Sequence, residues 1–389
     1  MNKLYYSITI LLSLLLATTA CSKTEKNLGH SYIKPEEESR EFTLLTAKAA
    51  DVPIIYDGSE SRQVWTVTQS APYVSYVDPE TKKEDWLFDG FLIMEVKDGK
   101  GHVFADSSEP GVTPATKTEW EWLLNVHFTK GRGMDALNTQ IGEVAKRIGQ
   151  PVRKRKIIYA LPDPVWKQTD WGILNGKVMD FNEIADRIAA ESWFIDQFLA
   201  KWKATNFENL ELAGFYWIRE AIWNNLAYTQ VAENVAKFIH SKPEGYHFYW
   251  IPYSTAGGRD QWRTYGFDVA WLQPNIAFEK DNPKVPTIQT SFEFAKKNGM
   301  GMEFESNIRA LKGYQWYEPW ARDRAYVYIN FYRDNGIWEN YPMTYYFSQW
   351  DWGYAVTSTN ADDIALARDL GRIIVDRQKR ADALYQSSK

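Results

Sequence analysis

The run "GMGMEFES", residues 299–306, carries Glu303 and Glu305 inside an otherwise apolar stretch. Successive side chains of an extended chain alternate faces. Glu303 and Glu305 therefore share one face with Gly301, and Met300, Met302 and Phe304 take the other. A further acid, Glu220, closes the run "LELAGFYWIRE" directly after Arg219. Carboxyl groups held on separate elements across a cleft can divide the work of glycoside hydrolysis. One, protonated, gives its proton to the leaving oxygen; the other attacks the anomeric carbon or activates a water. The ends of other apolar runs add groups that could hold a sugar: Trp217, Trp250, Tyr253, Arg259, Trp271, Gln273, Asn275, Asn307, Tyr346 and Trp350.

Each candidate has a plainer alternative. Glu220 could be an exposed helix-start residue favoured by the helix dipole. Glu303 and Glu305 could be ion-paired with Arg219 or Arg309, because two buried carboxylates on one face cost several kcal/mol unless paired or hydrogen-bonded. The tryptophans could be ordinary core. Asp89, at the start of its run, is a weaker candidate than acids at strand ends.

Other chemistries find little support. The five histidines form no pair at metal-ligand spacing, so no zinc site is expected. There is no G-x-S-x-G elbow, P-loop or G-x-G-x-x-G. The net charge is −5 and the 45 basic residues are dispersed, which gives no reason to expect nucleic acid. No metal or organic cofactor is required. The aromatic count, with 18 Trp, 23 Tyr and 19 Phe, supplies both a core and possible platforms for the apolar faces of sugar rings.

The elements that must position these groups repeat a rhythm. Three helical stretches end at Gly245, Gly299 and Gly336, and an apolar strand follows each. Eight strands are predicted, at 72–77, 88–95, 156–162, 210–218, 246–253, 267–275, 299–305 and 343–350. Amphipathic stretches between them include 134–149, 184–204 and 319–336. This alternation predicts an α/β fold, a (β/α)8 TIM barrel over residues 46–389, with a small β extension at residues 45–70. An open doubly wound sheet is the main rival. In a barrel, functional side chains come from the C-terminal strand ends.

Residues 1–20 read as an export signal: Lys3, then the apolar "SITILLSLLLA". Cys21, the only cysteine, follows Ala20 in "ATTAC", which resembles a bacterial lipobox with Thr18 where Leu is usual. Lipidation of Cys21 is expected, with residues 21–45 as a flexible tether. The protein would then sit on the periplasmic or cell-surface side of the outer membrane, touching membrane only through its anchor.

From about residue 60 to 377 the chain resembles the bacterial domain-of-unknown-function family numbered 4855. The runs that carry this are "LAGFYWIRE", "YHFYWIPYSTAGG", "FDVAWLQPN" and "GMEFE". The resemblance implies a barrel of glycosidase type. More distantly, "MEFES" looks like the nucleophile strand of clan A glycosidases, which implies Glu303 as nucleophile with Glu305 as its neighbour. In many retaining barrel glycosidases the acid/base ends the fourth strand and the nucleophile the seventh, which implies Glu220 as acid/base. The barrel rule alone favours Glu305, nearer the strand end. The expectation is a retaining glycoside hydrolase acting on a polysaccharide or oligosaccharide. The alternatives are a non-catalytic glycan-binding lipoprotein and, with Tyr253 and Arg259 as base and anchor, a polysaccharide lyase.

Overall fold

Seven of the eight predicted strands are barrel strands, and the first is elsewhere. The computed structural model describes residues 43–223, 226–348 and 350–389. The export signal, Cys21 and all of the tether except its last three residues lie outside the described residues. Eight parallel strands close into a barrel: β1 (Asp51–Tyr56), β2 (Gly90–Met94), β3 (Arg155–Leu161), β4 (Leu210–Trp217), β5 (His247–Trp250), β6 (Val269–Leu272), β7 (Gly301–Glu305) and β8 (Met343–Tyr346). Each pairs with its sequence neighbours, and β1 closes on β8 through Asp51–Met343.

The run 72–77 was expected to be the first strand. Instead it straddles the end of helix α1 (Val67–Val74) and a short strand outside the barrel, Ser75–Val77, which pairs antiparallel with Glu84–Trp86. The true β1 lies inside the predicted β extension. Pro53 in "DVPIIY" reads as a strand breaker, yet three residues pair with β8 and the next three with β2. The tether ends earlier than expected, because Leu44 is buried against Ala50 and Ala381. Since one strand replaces another, β4 and β7 keep their places in the count.

The helices form the outer layer: α2 (Lys117–His127), α3 (Gly133–Ile148), α4 (Ile184–Thr205), α5 (Leu226–His240), α6 (Ile288–Lys297), α7 (Pro319–Asp334), α8 (Ile337–Asn340), α9 (Asp351–Thr357) and α10 (Ala361–Ser387). The predicted glycine stops hold, with Gly245, Gly299 and Gly336 all in the left-handed region. Alternation along the strands makes two cores. Val52, Ile54, Leu92, Ile158, Tyr216, Tyr249 and Trp271 fill the barrel. Ile55, Ile157, Phe215, Phe248, Met302 and Phe304 face the helices. Inside, Trp271 stacks on Tyr249 with centroids 5.5 Å apart. Gly301 makes room for it, since a Cβ there would come within 2.3 Å of the indole.

Candidate active site

The acids at the C-terminal end of the barrel fall into two groups. Those after the first three strands are neutralised. Asp57 pairs with Arg132 at 2.9 Å, Glu95 with Arg62 at 2.9 Å, and Asp163 with Arg219 at 3.1 Å. Glu220, Glu303 and Glu305 make no ion pair among the described residues. The plainer alternative for the β7 glutamates fails, because Arg219 is engaged by Asp163 and Asp106 while Arg309 pairs with Glu318.

Glu303 and Glu305 point to the barrel interior, with Thr344 and Tyr346 of β8 beside them in register. Both are buried, 2% and 1% exposed. Glu303 has one weak donor, the Thr344 hydroxyl at 3.4 Å. Burial, and then the neighbouring Glu305 and Glu220, push its carboxyl well up. Glu305 is better supplied. The Tyr328 hydroxyl donates to Oε2, and Asn275 Nδ2 donates to Oε1 at 3.3 Å. The backbone amides of Asn275 and Ile276 lie near enough to favour its charged form. Burial still raises its pKa to about 8, against the pull of Tyr328 and these amides. Helix α7 fixes the strand from outside, because Tyr332, four residues after Tyr328, donates to the Glu303 carbonyl at 2.6 Å.

Glu220 stands in the loop after β4. It is exposed and lines a cleft of about 510 Å³ with Tyr56, Arg62, Tyr253 and Trp223. Protein crowding around the carboxyl raises its pKa even so, and the Gln273 hydrogen bond opposes that rise. Gln273 Nε2 donates to Glu220 Oε1 at 3.1 Å and to the Ile251 carbonyl at 3.0 Å. Gln273 Oε1 in turn accepts from Asn275 Nδ2 at 3.0 Å. A chain of amides thus connects Glu220 to Glu305. Asn275 adopts φ +61° to make this turn, and its Oδ1 accepts from the Ser254 amide at 2.7 Å.

Gln273 and Asn275 were expected to hold a sugar. Their amide N–H groups are engaged by the protein, so they position the carboxyl groups instead. Tyr253 lines the cleft as expected. Tyr346 lies edge-on to Tyr56 at 6.2 Å, close enough to Glu303 for that carboxylate to raise its pKa after burial and other contributions.

Six expected ligand contacts do not line the Glu220 cleft. Trp217 and Trp250 point outward into the layer between strands and helices, 2% and 0% exposed, because their parity on β4 and β5 is that of Phe215 and Phe248. Trp271 plugs the barrel interior. Arg259 lies over the Phe294 ring of α6 at 4.3 Å and donates to the Ala256 carbonyl. Asn307 caps the turn after β7, accepting from the Arg309 amide and donating to the Ala277 carbonyl at 3.1 Å each. Trp350 is half-buried, with its indole N–H on the Gln69 carbonyl at 3.0 Å. Of the remaining acids, Asp351 faces the helix layer beside Phe347 and Trp352.

Tyr56, Tyr216 and Tyr328 escaped the sequence reading. Tyr216 is inward-facing, and after burial the Glu220, Tyr56 and Glu303 charges raise its pKa. The parity of β4 would have found Tyr216. The i, i+4 pair Tyr328 and Tyr332 on an amphipathic helix would have pointed to α7.

Residues 51–372 match the family model described as Domain of unknown function (DUF4855). A search of the curated proteins found no match. Among solved structures, the chain is similar in fold to a GH18 chitinase from Pseudoalteromonas aurantia (13% identity, TM-score 0.37, covering 82% of this chain and 99% of that one). It is also similar to a chitinase from Bacteroides thetaiotaomicron (11%, TM-score 0.43, 85% and 96%). A third is an intracellular xylanase from Thermoanaerobacterium saccharolyticum (12%, TM-score 0.36, 80% and 89%). These likenesses concern the fold, and no residue role is taken from them.

Proposed function

We propose that this chain, which belongs to the DUF4855 family, is a glycoside hydrolase in which Glu220 is the general acid/base and Glu305 the nucleophile. The observation that carries this reading is the amide-linked set of carboxyl groups at the barrel mouth, without cations among the described residues, where the acids after the first three strands are paired. A carboxyl is suited to its role by the donors around it. Both oxygens of Glu305 accept hydrogen bonds, one from the Tyr328 hydroxyl and one from Asn275 Nδ2, which cannot accept a proton back. That favours the carboxylate. The hydrogen bond from Gln273 goes to Oε1 of Glu220, and the exposed residue faces the cleft, where a proton on Oε2 can reach a leaving oxygen.

The donor pattern moves the nucleophile from Glu303 to Glu305. Glu303 has fewer donors, and burial, then Glu305 and Glu220, push its carboxyl well up. The cycle is that of a retaining enzyme. Glu305 displaces the leaving group as Glu220 protonates it, and water activated by Glu220 then releases the sugar.

Reducing ends released from a panel of polysaccharides by the wild type, and not by Glu220→Gln or Glu305→Gln, are expected. Wild-type turnover in both variants would end the assignment. A second reading, capture without cleavage, draws on the burial of both β7 glutamates away from the cleft surface. No release from any polysaccharide that the protein binds would favour it. We also propose that Cys21 carries a lipid anchor at the periplasmic or outer surface. Incorporation of labelled fatty acid that persists in Cys21→Ser would sink that proposal.

A further inference from the structure

The exposed large aromatic side chains among the described residues share one face of the molecule. Trp166 follows β3, Trp223 follows β4, Phe278 follows β6, Trp316 follows β7, and Tyr354 lies in α9 directly after β8. Every one belongs to a segment that leaves a C-terminal strand end. Exposed aliphatic groups are divided: Val64, Ile173 and Val178 also leave C-terminal strand ends, whereas Val152, Val327 and Leu384 lie at the opposite end or on helices. Apolar surface is costly to leave in water, and the concentration of aromatic surface on one rim marks a binding surface.

The aromatics form two arms. The barrel order sets β3 and β4 opposite β7 and β8. On the first side, the Trp223 ring lies on Gly257, where a Cβ would come within 2.5 Å of it. Trp166 meets Tyr228 edge-on at 6.3 Å. On the second side, Trp316, Tyr314, Tyr354 and Trp350 form a row with ring centroids 5.1–5.7 Å apart. Glu220, Glu303 and Glu305 lie between the arms. The cations that line the cleft are matched by acids: Arg62 by Glu95, Arg219 by Asp106 and Asp163, and, more loosely at 3.9 Å, Lys97 by Glu109.

We infer that the ligand is an extended neutral polysaccharide that crosses the mouth from the β3–β4 arm to the β7–β8 arm. It would be cut internally rather than trimmed from its ends. Internal cutting rests on the hydrolase reading above; the two-armed site does not. Aromatic faces take the apolar faces of sugar rings, and a site occupied on both sides of the carboxyl groups requires chain in both directions. A neutral chain leaves the existing ion pairs in place, whereas an anionic one would have to break them.

The test is retardation of the protein in native gels containing soluble neutral polysaccharides such as xylan, mannan or β-glucan, with Glu305→Gln as background so that turnover does not intervene. Trp166→Ala on one arm and Trp316→Ala on the other are each expected to weaken binding roughly twofold to tenfold. The losses should combine in the double variant, and Leu384→Ala on α10 should leave binding as it was. The first products of the enzyme with native Glu305 should be oligosaccharides of mixed length. Retardation by none of the neutral polymers, or by charged polymers alone, overturns the inference. So does unaltered binding in either arm variant, or release of monosaccharide alone. Binding that needs both arms without any hydrolysis would remove the hydrolase reading and keep the two-armed site. Hydrolysis indifferent to either arm would do the reverse.

Discussion

At the N-terminal end of the barrel, Asp51 and Asp89 are buried as deeply as Glu303 and Glu305 are at the other end. Their surroundings differ. Asp51 accepts from Arg377 at 2.6 Å, from the Tyr345 hydroxyl at 2.6 Å and from Gln378 at 2.7 Å. Asp89 accepts from Arg153 and from the amides of Ala50 and Asp51. Against the cost of burial, Arg153 and Arg155 hold Asp89 below the usual carboxylate range. The bottom of the barrel thus satisfies its charges with arginine, and among the described residues the mouth leaves Glu220, Glu303 and Glu305 without one. Depth alone does not mark a functional acid, and neither does the lack of a cation, since Asp351 is buried and, among the described residues, unpaired in the helix layer. Glu220, Glu303 and Glu305 are set apart by lacking a cation together at the mouth. A buried pair is a structural joint, whereas an unpaired carboxyl remains free to gain and lose a proton.

The largest test of this contrast removes one partner at each end. Glu305→Gln should lower turnover by roughly 10²–10⁴-fold, with no loss in melting temperature, since the amide no longer has a charge to bury. Arg377→Met should do the opposite. It leaves Asp51 buried without its cation and should cost about 3–5 kcal/mol of stability in denaturant titration, while folded protein keeps its turnover per molecule. Equal stability losses at the two ends would erase the distinction.

A smaller effect is expected at Tyr328. A hydrogen bond to a charged group is worth about 1.5–3 kcal/mol. Tyr328→Phe should therefore slow turnover by about one to two orders of magnitude. It should also move the acid limb of the pH–rate profile to higher pH, because the Glu305 carboxylate loses a donor. A slower enzyme with an unmoved limb would reduce Tyr328 to a packing residue.

The smallest effect is in stability against pH. Glu305, at about 8 when folded, and Glu303, also raised, hold protons that the unfolded chain releases near pH 4.3. The folded state binds more protons between those values, so stability is greatest below that window and falls as pH rises through it. Asp351, raised by burial to about 8, acts in the same direction. Melting temperature should fall between pH 5 and 8, and Glu305→Gln should shrink the fall. A profile that rises across this window would contradict the mouth electrostatics.

The helix–glycine–strand repeats were legible because left-handed helix stops and apolar runs are local signals. Gly245, Gly299 and Gly336 show this. The first strand was not legible, because Pro53 looks like a breaker and only its neighbours β8 and β2 make Asp51–Tyr56 a strand. Glu220, Glu303 and Glu305 were legible as acids at the ends of apolar runs. Trp217 and Trp250 were misread because their parity matters more than their closeness to a strand end.

By itself, then, the sequence determined the barrel rhythm, the acids of β4 and β7 and the shared face of Glu303 and Glu305. All of these follow from chain geometry within one element. Tertiary structure decided which acids would be neutralised. Arg219 follows β4 directly, yet it reaches Asp163 after β3 rather than the β7 glutamates. It also decided that Asn275 and Gln273 would tie Glu305 to Glu220, and that Tyr328 of α7 would reach the carboxyl of Glu305. Hydrogen bonds and ion pairs act over about 3 Å, so their partners exist only once the barrel has closed.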